Sequence, residues 1–488
     1  MVTSGRLPKG LALLRAKVAS SILRVLRIEG SSMIKITKFG GSSVSSAGQF
    51  KKVKAIVQAD PSRRFVVVSA AGKRDKFDSK ITDLLYLVNA HLQYHVTCDD
   101  LLGTIGQRFC EIAKELNLSY PISHEFGVFR ELAKRGEYTP EYIVSRGEYF
   151  TGRMMAEYLG FPFVDAADVI TFRADSSIDM DKTSEKLKAA IGEEKCFVLP
   201  GFYGATEDGK IKLLDRGGGD ITGAIVAQCL GADLYENWTD VSGFLTADPR
   251  IVDNPKSISR ITYAELRELS YMGASVLHEE AIFPVKDAGI PLVIKNTNAP
   301  DDPGTVISEE TEPGVAEPLI TGIAGKKDFV AIHVKTNHMS SKVGYIRKTL
   351  SIFERYRVSI EHIPTGIDSF AVVVQGSDVK DCLYSIVADI KSELEPDEIK
   401  IVDRLALIST VGRNMPSRPG TSGRLFGELG HAGINIRMIA QGSEELDIVV
   451  GVDVDDFERA IRVIYGAFVD SDDNIITVEE AEEEATNE

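Results

Sequence analysis

Cysteine is scarce in this chain of 488 residues, and none of its five copies forms a C-x-x-C pair. The number is odd, and Cys196 and Cys229 lie in apolar segments. Zinc sites commonly use closely spaced cysteines, and disulfides persist in oxidising compartments. The pattern therefore favours buried free thiols in a reducing cytoplasm over a zinc site or a disulfide framework.

Long apolar runs and an excess of positive charge are also lacking. No stretch approaches the roughly 20 apolar residues that a membrane-spanning helix needs. The net charge of −16 disfavours broad contact with nucleic acid or an anionic membrane. A local basic pocket for phosphates remains compatible with this charge. We therefore predict a cytoplasmic protein that binds neither nucleic acid nor membrane.

Residues 1–32 differ in composition from the rest, with six Lys or Arg and one acidic residue among leucines and alanines. A basic amphipathic helix or a targeting segment is compatible with this composition. However, the segment has no continuous apolar region and no clear cleavage site. We expect a dispensable N-terminal extension, with the first domain beginning near Met33.

Short apolar runs alternate with longer helical patterns, such as Phe50–Gln58 and Lys80–His91, between residues 33 and 307. This alternation predicts an α/β catalytic domain in which a mainly parallel sheet lies between helices. Ligands of such sheets bind at the carboxyl ends of the strands. The predicted strands are Ile34–Phe39, Phe65–Ser69, Cys196–Leu199, Leu234–Trp238 and Leu292–Ile294.

The chain after residue 307 is organised differently. Polar residues and prolines in 308–325 predict a linker. Residues 326–398 and 399–478 then repeat each other at an offset of 76, for example Gly344 with Gly420. Each copy has the pattern of a small antiparallel α+β unit of the ferredoxin-like type, and an acidic tail (479–488) follows. A duplicated unit behind a catalytic domain suggests a sensor; a dimer interface is the alternative.

Two glycine-rich loops carry the strongest chemical signal. Lys38-Phe39-Gly40-Gly41-Ser42-Ser43 follows the first predicted strand, and Asp215-Arg216-Gly217-Gly218-Gly219-Asp220 opens a helical pattern. Glycines let the backbone approach phosphate oxygens, and a helix N-terminus favours an anion. Neither loop matches G-x-x-x-x-G-K-[ST], so neither is a P-loop. The bracketing arginine and aspartate suggest that a zwitterion meets a phosphate here.

Further polar residues are candidates for the same site. Ser69 ends the second predicted strand, and Thr82 begins a helix, where a role as a cap explains it nearly as well. The run Ser145-Arg146-Gly147-Glu148 is predicted to open another helix. Glu148 can pair with a substrate ammonium, or it can simply balance the helix dipole.

Residues 239–250 form a dense polar segment after a buried strand. Thr239 and Asp240 end the strand. Phe244 can stack on a base and Arg250 can reach a polyphosphate. A simple turn at Asp248 is the alternative, which the density of polar groups after a buried strand disfavours.

Together these segments resemble the aspartate kinases of the amino-acid kinase superfamily, over nearly all of residues 33–478. The resemblance rests on both glycine loops and on the segment from Trp238 to Arg250, and Met272–His278 extends it. The repeat resembles the paired ACT domains of that family. Glutamate, acetylglutamate and uridylate kinases share the sheet but do not combine these motifs with two ACT domains.

The resemblance implies transfer of the ATP γ-phosphoryl group to the β-carboxylate of L-aspartate, the entry to lysine, threonine and methionine synthesis. Mg²⁺ would accompany ATP, and no protein ligand is assigned to it. Lys38 would stabilise the transferring phosphoryl group, and Asp220 would position substrate and lysine. The implied aspartate-binding residues are Ser69, Thr82, Glu148 and Arg216. The implied nucleotide-binding residues are Lys38, Gly40, Gly41, Ser42, Thr239, Asp240, Phe244, Asp248, Arg250 and Ser275.

The chain departs from the family pattern at Ser275, Glu279, Gly219 and Phe244, where a lysine, a proline, a serine and a tyrosine are common. The lysine that many members have in place of Ser275 contacts the nucleotide. Lys295 is a candidate to replace the missing lysine. Because the catalytic lysine and aspartate remain, we expect activity to be retained.

The first ACT-like copy holds five residues that fall where lysine-sensitive relatives bind their effector. These residues are Met339, Tyr345, Ile346, Ile360 and Glu361. Glu361 can face a cationic ligand, which favours L-lysine as the allosteric amino acid, with L-threonine as the alternative. The resemblance also implies a homodimer through the ACT domains, with a tetramer as the alternative.

Two other functions stay open at this point. One is another carboxylate kinase of the superfamily, although Arg216 and Glu148 favour an amino-acid substrate. The other is an amino-acid-binding regulatory protein with an inactive kinase domain, against which the presence of Lys38 and Asp220 argues.

Overall fold

A computed structural model describes residues 33–192, 195–215, 217–274, 283–309, 317–416, 418–471 and 475–476. Its strands are β1 (Lys35–Phe39), β2 (Phe65–Val68), β3 (Thr171–Phe172), β4 (Phe197–Pro200), β5 (Tyr203–Thr206), β6 (Ile211–Leu213), β7 (Leu234–Thr239), β8 (Arg260–Thr262), β9 (Leu292–Asn296), β10 (Thr305–Ser308), β11 (Glu317–Pro318), β12 (Gly322–Lys335), β13 (Ser369–Gln375), β14 (Glu398–Val411), β15 (Met438–Gln441), β16 (Asp447–Asp453) and β17 (Ile475–Ile476). Its helices are α1 (Ala47–Gln58), α2 (Ile81–Gln93), α3 (Asp99–Glu115), α4 (Ile122–Lys134), α5 (Pro140–Leu159), α6 (Ala166–Val169), α7 (Met180–Ala190), α8 (Gly218–Leu230), α9 (Tyr263–Tyr271), α10 (Phe283–Asp287), α11 (Tyr345–Arg355), α12 (Gly376–Val379), α13 (Leu383–Leu394), α14 (Thr421–His431) and α15 (Phe457–Phe468).

A seven-stranded sheet organises the first half of the chain, in the order β4-β2-β1-β7-β9-β10-β8. Its pairs are parallel except for β9 with β10. Strand β2 is buried along its whole length because helices cover both faces of the sheet. Helix α8 packs on one face, and α1 and α5 pack on the other. The predicted mainly parallel α/β fold is confirmed, and all five predicted strands end within two residues of the observed bounds.

The strand order determines which loops can meet. Strand β1 lies between β2 and β7, with Lys38 opposite Val67 on one side and Asn237 on the other. The segments that follow these three strands therefore leave the same edge of the sheet side by side. They are the first glycine loop, the Ser69–Gly72 turn and the Thr239-Asp240 pair.

The second half forms one five-stranded antiparallel sheet in the order β13-β12-β14-β16-β15. The aligned glycines of the repeat, Gly344 and Gly420, both have left-handed φ values, 77° and 92°, just before α11 and α14. A residue with a Cβ is strained at such a φ, which accounts for glycine at both places. The predicted antiparallel α+β class of this half is confirmed.

The two copies share strands rather than forming two separate sheets. The first part of β12 (322–326) pairs with the end of β14 (407–411), and the rest of β12 pairs with β13 and the start of β14. Ile323 accordingly belongs to the hydrophobic core of the second copy. The predicted domain boundaries at 325/326 and 398/399 thus fall inside continuous strands. Among the described residues, no helix is both long and apolar enough to cross a membrane.

Candidate active site

A cavity of about 1310 Å³ opens at the edge of the sheet where the three strand-end segments meet. The two glycine loops form its walls. Of the predicted site residues, it is lined by Lys38, Gly40, Gly41, Ser42, Ser69, Thr82, Glu148, Asp220, Thr239 and Asp240. Residues that are distant in sequence, and that were predicted separately, therefore share one cavity.

Lys38 and Asp220, whose side chains are 8% and 17% exposed, form an ion pair in the lining of this cavity. Lys38 is the second-last residue of β1, and Asp220 lies in the first turn of α8. The Asp220 carboxylate also accepts a hydrogen bond of 2.8 Å from the Asn237 amide on β7. A lysine held by a carboxylate at a strand end can place its positive charge against a phosphoryl group.

The glycines allow very close contacts between backbone segments. The Gly72 amide donates to the Gly41 carbonyl at 2.8 Å, and a Cβ on Gly72 would lie only 2.5 Å from the Gly41 carbonyl carbon. Gly217 has a φ of 84° and is the residue before α8, whose first N–H groups have no partner within the helix. An anion in the cavity therefore meets backbone donors on a narrow, side-chain-free wall.

Gly219, one of the departures from the family pattern, has a steric explanation. A Cβ at this position would lie 2.8 Å from the Ser69 hydroxyl oxygen and 3.4 Å from Cε of Lys38. A serine here would require Ser69 to move. Glycine is thus the residue that fits between these two side chains as they stand.

Glu148 lines the cavity from α5 and is only 4% exposed. Burial raises its pKa to about 8, although a hydrogen bond from the Ala70 backbone and the charges of Lys38 and Arg146 act in the opposite direction. Its Oε2 atom is buried without a hydrogen-bond partner among the described residues. A buried carboxylate oxygen that lacks a partner is suited to bind a cation.

The position of Glu148 corrects one prediction. Helix α5 begins at Pro140, so Glu148 lies in its middle and not in a first turn. Balancing the helix dipole therefore does not explain this glutamate. Similarly, Lys80 and not Thr82 is the N-cap of α2, and Thr82 is available to the cavity.

Arg146 was not singled out by sequence reasoning, although it precedes the Gly147-Glu148 pair. Its buried guanidinium lies 4.2 Å and 4.3 Å from the ring centroids of Tyr142 and Tyr149, and it donates to the Ser145 hydroxyl at 3.0 Å. These contacts fix the middle of α5 beside the cavity. Aromatic residues at i−4 and i+3 of a buried arginine are the signal that could have indicated this.

The cavity has further lining residues that sequence reasoning did not assign to it. Two lysines among them add positive charge to the cavity, as a polyphosphate requires. These residues include Lys73, Lys80, Asp83, Tyr86 and Phe202. Lys73 directly follows Gly72, so its place after a glycine at a strand end was a usable signal.

The predicted nucleotide residues are divided by the structure. Thr239 and Asp240 line the cavity, but Phe244 is 2% exposed and belongs to the hydrophobic core. Arg250 is paired with Asp248 at 2.6 Å, and its side chain is 88% exposed. The stacking face expected of Phe244 and the reach expected of Arg250 are thus not presented to the cavity in this conformation.

Arg216 and Ser275 lie outside the described residues. Lys295, the candidate replacement for a missing lysine, donates to the Asp302 carbonyl and lies 5.6 Å from the Trp238 ring centroid. Its ammonium is therefore engaged beside the sheet. Within the described part of the chain, no group of three or more His, Cys, Asp or Glu residues could hold a metal ion.

The predicted effector residues have two kinds of surroundings. Met339 and Tyr345 are buried in the hydrophobic core of the first copy, with Ile346 and Ile360 packed against it. Glu361 instead accepts a hydrogen bond of 2.6 Å from the hydroxyl of Tyr271, the last residue of α9. The predicted effector region is thus connected to a helix that precedes it in the chain.

Comparisons with known proteins agree with this architecture. The model of the amino acid kinase family matches residues 33–296, and a model of the ACT domain matches residues 408–468. Aspartokinase 3 of Bacillus subtilis (strain 168) is 35% identical over 449 residues, which cover 89% of this chain and 98% of that protein.

Solved structures give the same result. The Clostridium acetobutylicum aspartate kinase is 47% identical with a TM-score of 0.84, covering 90% of this chain and 100% of that chain. E. coli aspartokinase III in complex with aspartate and ADP is 25% identical with a TM-score of 0.68, covering 89% and 99%. The resemblance predicted from the sequence is confirmed: this chain belongs to the aspartokinase family of amino-acid kinases with ACT domains.

Proposed function

We propose that this aspartokinase transfers the γ-phosphoryl group of ATP to the β-carboxylate of L-aspartate, giving 4-phospho-L-aspartate and ADP. The observation that carries the proposal is the single cavity that contains the Lys38–Asp220 pair, the glycine walls and the Glu148 oxygen that has no hydrogen-bond partner among the described residues. The aspartate and ADP bound to E. coli aspartokinase III are a substrate and a product of this reaction.

The chemistry needs little from an acid or a base, because a carboxylate is already a nucleophile. The protein's task is to place two anions in line and to offset their charge. Lys38 offsets charge on the transferring phosphoryl group, and Asp220 holds Lys38 in place. Backbone N–H groups at the start of α8 and beside Gly41 hold phosphate oxygens. Mg²⁺, accompanying ATP, would neutralise further charge on the phosphates.

The α-amino acid group of the substrate is a zwitterion, and the site provides for both charges of that group. Glu148 takes the ammonium through its buried Oε2, and Arg216 takes the α-carboxylate, a role that rests on the family pattern. Ser69 and Thr82 line the same cavity and carry hydroxyl groups. For the nucleotide, Thr239 and Asp240 are supported by their position.

We further propose that an end-product amino acid inhibits the enzyme, with L-lysine preferred over L-threonine and the pathway to lysine, threonine and methionine as its setting. Glu361 supports this choice, because its carboxylate can exchange the Tyr271 hydroxyl for a cationic group. Helix α9 is also attached at its other end, where buried Glu265 binds Arg413 at 2.6 Å. Both copies of the repeat therefore contact α9, which gives the effector a route towards the catalytic half.

The remaining parts of the proposal follow the family. A homodimer would form through the ACT domains, with a tetramer as the alternative, in the cytoplasm. Size measurement with and without lysine tests the assembly.

The proposed reaction is tested by trapping the acyl phosphate. Hydroxylamine converts 4-phosphoaspartate to a hydroxamate, which is measured together with ADP release. L-Glutamate and D-aspartate serve as control acceptors, and lysine and threonine are added singly and together. Hydroxamate formation with L-aspartate alone supports the proposal. Formation with glutamate instead would indicate another carboxylate kinase, and none with any acceptor would indicate an inactive kinase domain.

A further inference from the structure

One face of β7 holds the first turn of α8. Side chains on a strand alternate, so residues 235, 237 and 239 point to the same side. The Tyr235 hydroxyl donates to the Asp220 backbone carbonyl at 3.0 Å, and the Asn237 amide donates to the Asp220 carboxylate at 2.8 Å. Thr239 lines the cavity. The strand thus bonds both the backbone and the side chain of one residue.

Asn237 is well placed to orient that carboxylate. It is 4% exposed, and it lies directly opposite Lys38 in the register of β1 and β7. The Asn237 amide and the Lys38 ammonium approach the same atom, Oδ1 of Asp220. Two donors from adjacent strands on one oxygen restrict rotation of the carboxylate group, which a single ion pair would not do.

A buried amide in a central strand calls for an explanation beyond packing. Burying an amide is unfavourable unless it is hydrogen-bonded, and an apolar side chain would fill this position without that requirement. The neighbouring positions on the opposite face of β7, Glu236 and Trp238, bond to each other at 2.9 Å and take no part in the cavity. Asn237 therefore directs its polar group at the Asp220 side chain, whereas Tyr235 bonds only the Asp220 backbone.

We propose that Asn237 is a positioning residue for phosphoryl transfer, acting by holding the Asp220 carboxylate in the orientation that places Lys38. The inference rests on the proposed roles of Lys38 and Asp220. Because Asn237 reaches substrate only through these two residues, its loss lowers kcat more than it changes the KM of aspartate or ATP.

Two variants of Asn237 test the inference. Asn237→Leu removes the donor at similar volume, and we expect kcat to fall roughly 10- to 100-fold, the range for a hydrogen bond to a charged group, with KM changes below about threefold. Asn237→Asp replaces the amide by a carboxyl group that donates only when protonated. Burial and the adjacent Asp220 raise the pKa of such a carboxyl, whereas Lys38 lowers it; Tyr235 is the other titratable group on this face.

The pH dependence separates positioning from simple stability. We expect the ratio of Asn237→Asp to wild-type kcat to rise as pH falls from 9 to 6, because the protonated carboxyl donates again to Asp220. The ratio for Asn237→Leu should stay flat. Ser184→Ala is the matched control, because it removes a 3.1 Å hydrogen bond at the far end of α8. It should leave kcat unchanged, and thermal unfolding of each variant reports folding.

The outcomes distinguish failure of the positioning role of Asn237 from failure of the proposed function. A kcat for Asn237→Leu within twofold of wild type, or a flat ratio for Asn237→Asp, would overturn the inference. Asp220→Asn is measured beside them. If it loses activity while the Asn237 variants do not, only the positioning role fails. If Asp220→Asn is fully active, the proposed role of the Lys38–Asp220 pair fails as well.

Discussion

Binding of aspartate should release a proton from Glu148. Its pKa of about 8 means that about nine-tenths of the Glu148 side chains are neutral at pH 7. The proposed partner, the substrate ammonium, requires the ionised form. Binding at pH 7 should therefore release about 0.9 proton, falling to about 0.5 at pH 8. The affinity for aspartate should correspondingly increase about fivefold between these two pH values.

Calorimetric titration of aspartate into the ADP-saturated enzyme, in buffers of different ionisation enthalpy, measures the number of protons released. Glu148→Gln should release none from this site. Glu157→Gln on the same helix is the matched control. Burial acts to raise the pKa of Glu157, but hydrogen bonds from Ser119 and Tyr120 outweigh it and lower the pKa, so Glu157 is ionised throughout this range. Equal proton release by wild type and Glu148→Gln would refute the reasoning.

The same shift has a consequence for stability. The folded-state pKa of Glu148 lies above the ordinary value of 4.5, so the folded protein binds the extra proton between these values. Binding of this proton stabilises the folded state relative to the ionised form. The stabilisation is fully present below about pH 4.5 and is lost as the pH rises towards 8. In that window the free energy of unfolding of wild type, relative to Glu148→Gln, should fall by about 1.4 kcal/mol per pH unit. Denaturant unfolding at several pH values measures the slope, and a slope of zero would show an ordinary pKa.

Three further predictions concern the catalytic lysine, the effector region and the N-terminus. Lys38→Ala should lower kcat by roughly 10²- to 10³-fold in a folded protein, because it removes charge that stabilises the transition state; steady-state assays and circular dichroism check this. Glu361→Ala should weaken lysine inhibition without changing the uninhibited rate, and Tyr271→Phe, which removes only the observed partner, should not abolish lysine binding; inhibition curves and calorimetry check both. Deleting residues 1–32 should leave kcat and solubility unchanged in a direct comparison with the full chain.

Each of these predictions has a contrary outcome. Near-normal turnover of Lys38→Ala would remove that residue from the mechanism. Unchanged inhibition of Glu361→Ala would locate the effector elsewhere. A truncated chain that loses activity or precipitates would show that the first 32 residues contribute to the folded enzyme.

The sheet and its loops could be predicted because their signals are local. A run such as Phe65–Val68 is apolar along its length because helices cover both faces of the sheet. Such a strand can be recognised in the sequence without knowing which strands pair with it. Gly41 and Gly72 are required where two backbones touch, so glycine after a strand indicated the cavity wall. The sharing of β12 and β14 between the repeat copies was not predictable in this way. Strand pairing is decided between distant segments, and the repeat pattern is identical whether copies pair internally or with each other.

The roles of the individual polar residues depend on burial, which the sequence does not show. Phe244 was predicted to stack on the nucleotide base, but it lies in the hydrophobic core. An aromatic residue after a strand is compatible with either environment, so the sequence does not distinguish them. Glu148 shows the opposite case. A mid-helix glutamate is ordinarily solvated, and only the folded structure shows that Glu148 is 4% exposed and lines the cavity.

The burial of Glu148 also determines the charge balance of the site before substrate binds. Lys38 and Asp220 neutralise each other, and Glu148 is neutral because it keeps its proton. No uncompensated charge is then buried among these three groups. An incoming aspartate brings an ammonium that replaces the proton on Glu148, so the substrate supplies the countercharge that the empty site lacks. The affinity for substrate and its pH dependence therefore have a single origin, the burial that keeps the Glu148 carboxyl group mostly protonated at pH 7 until a cation binds.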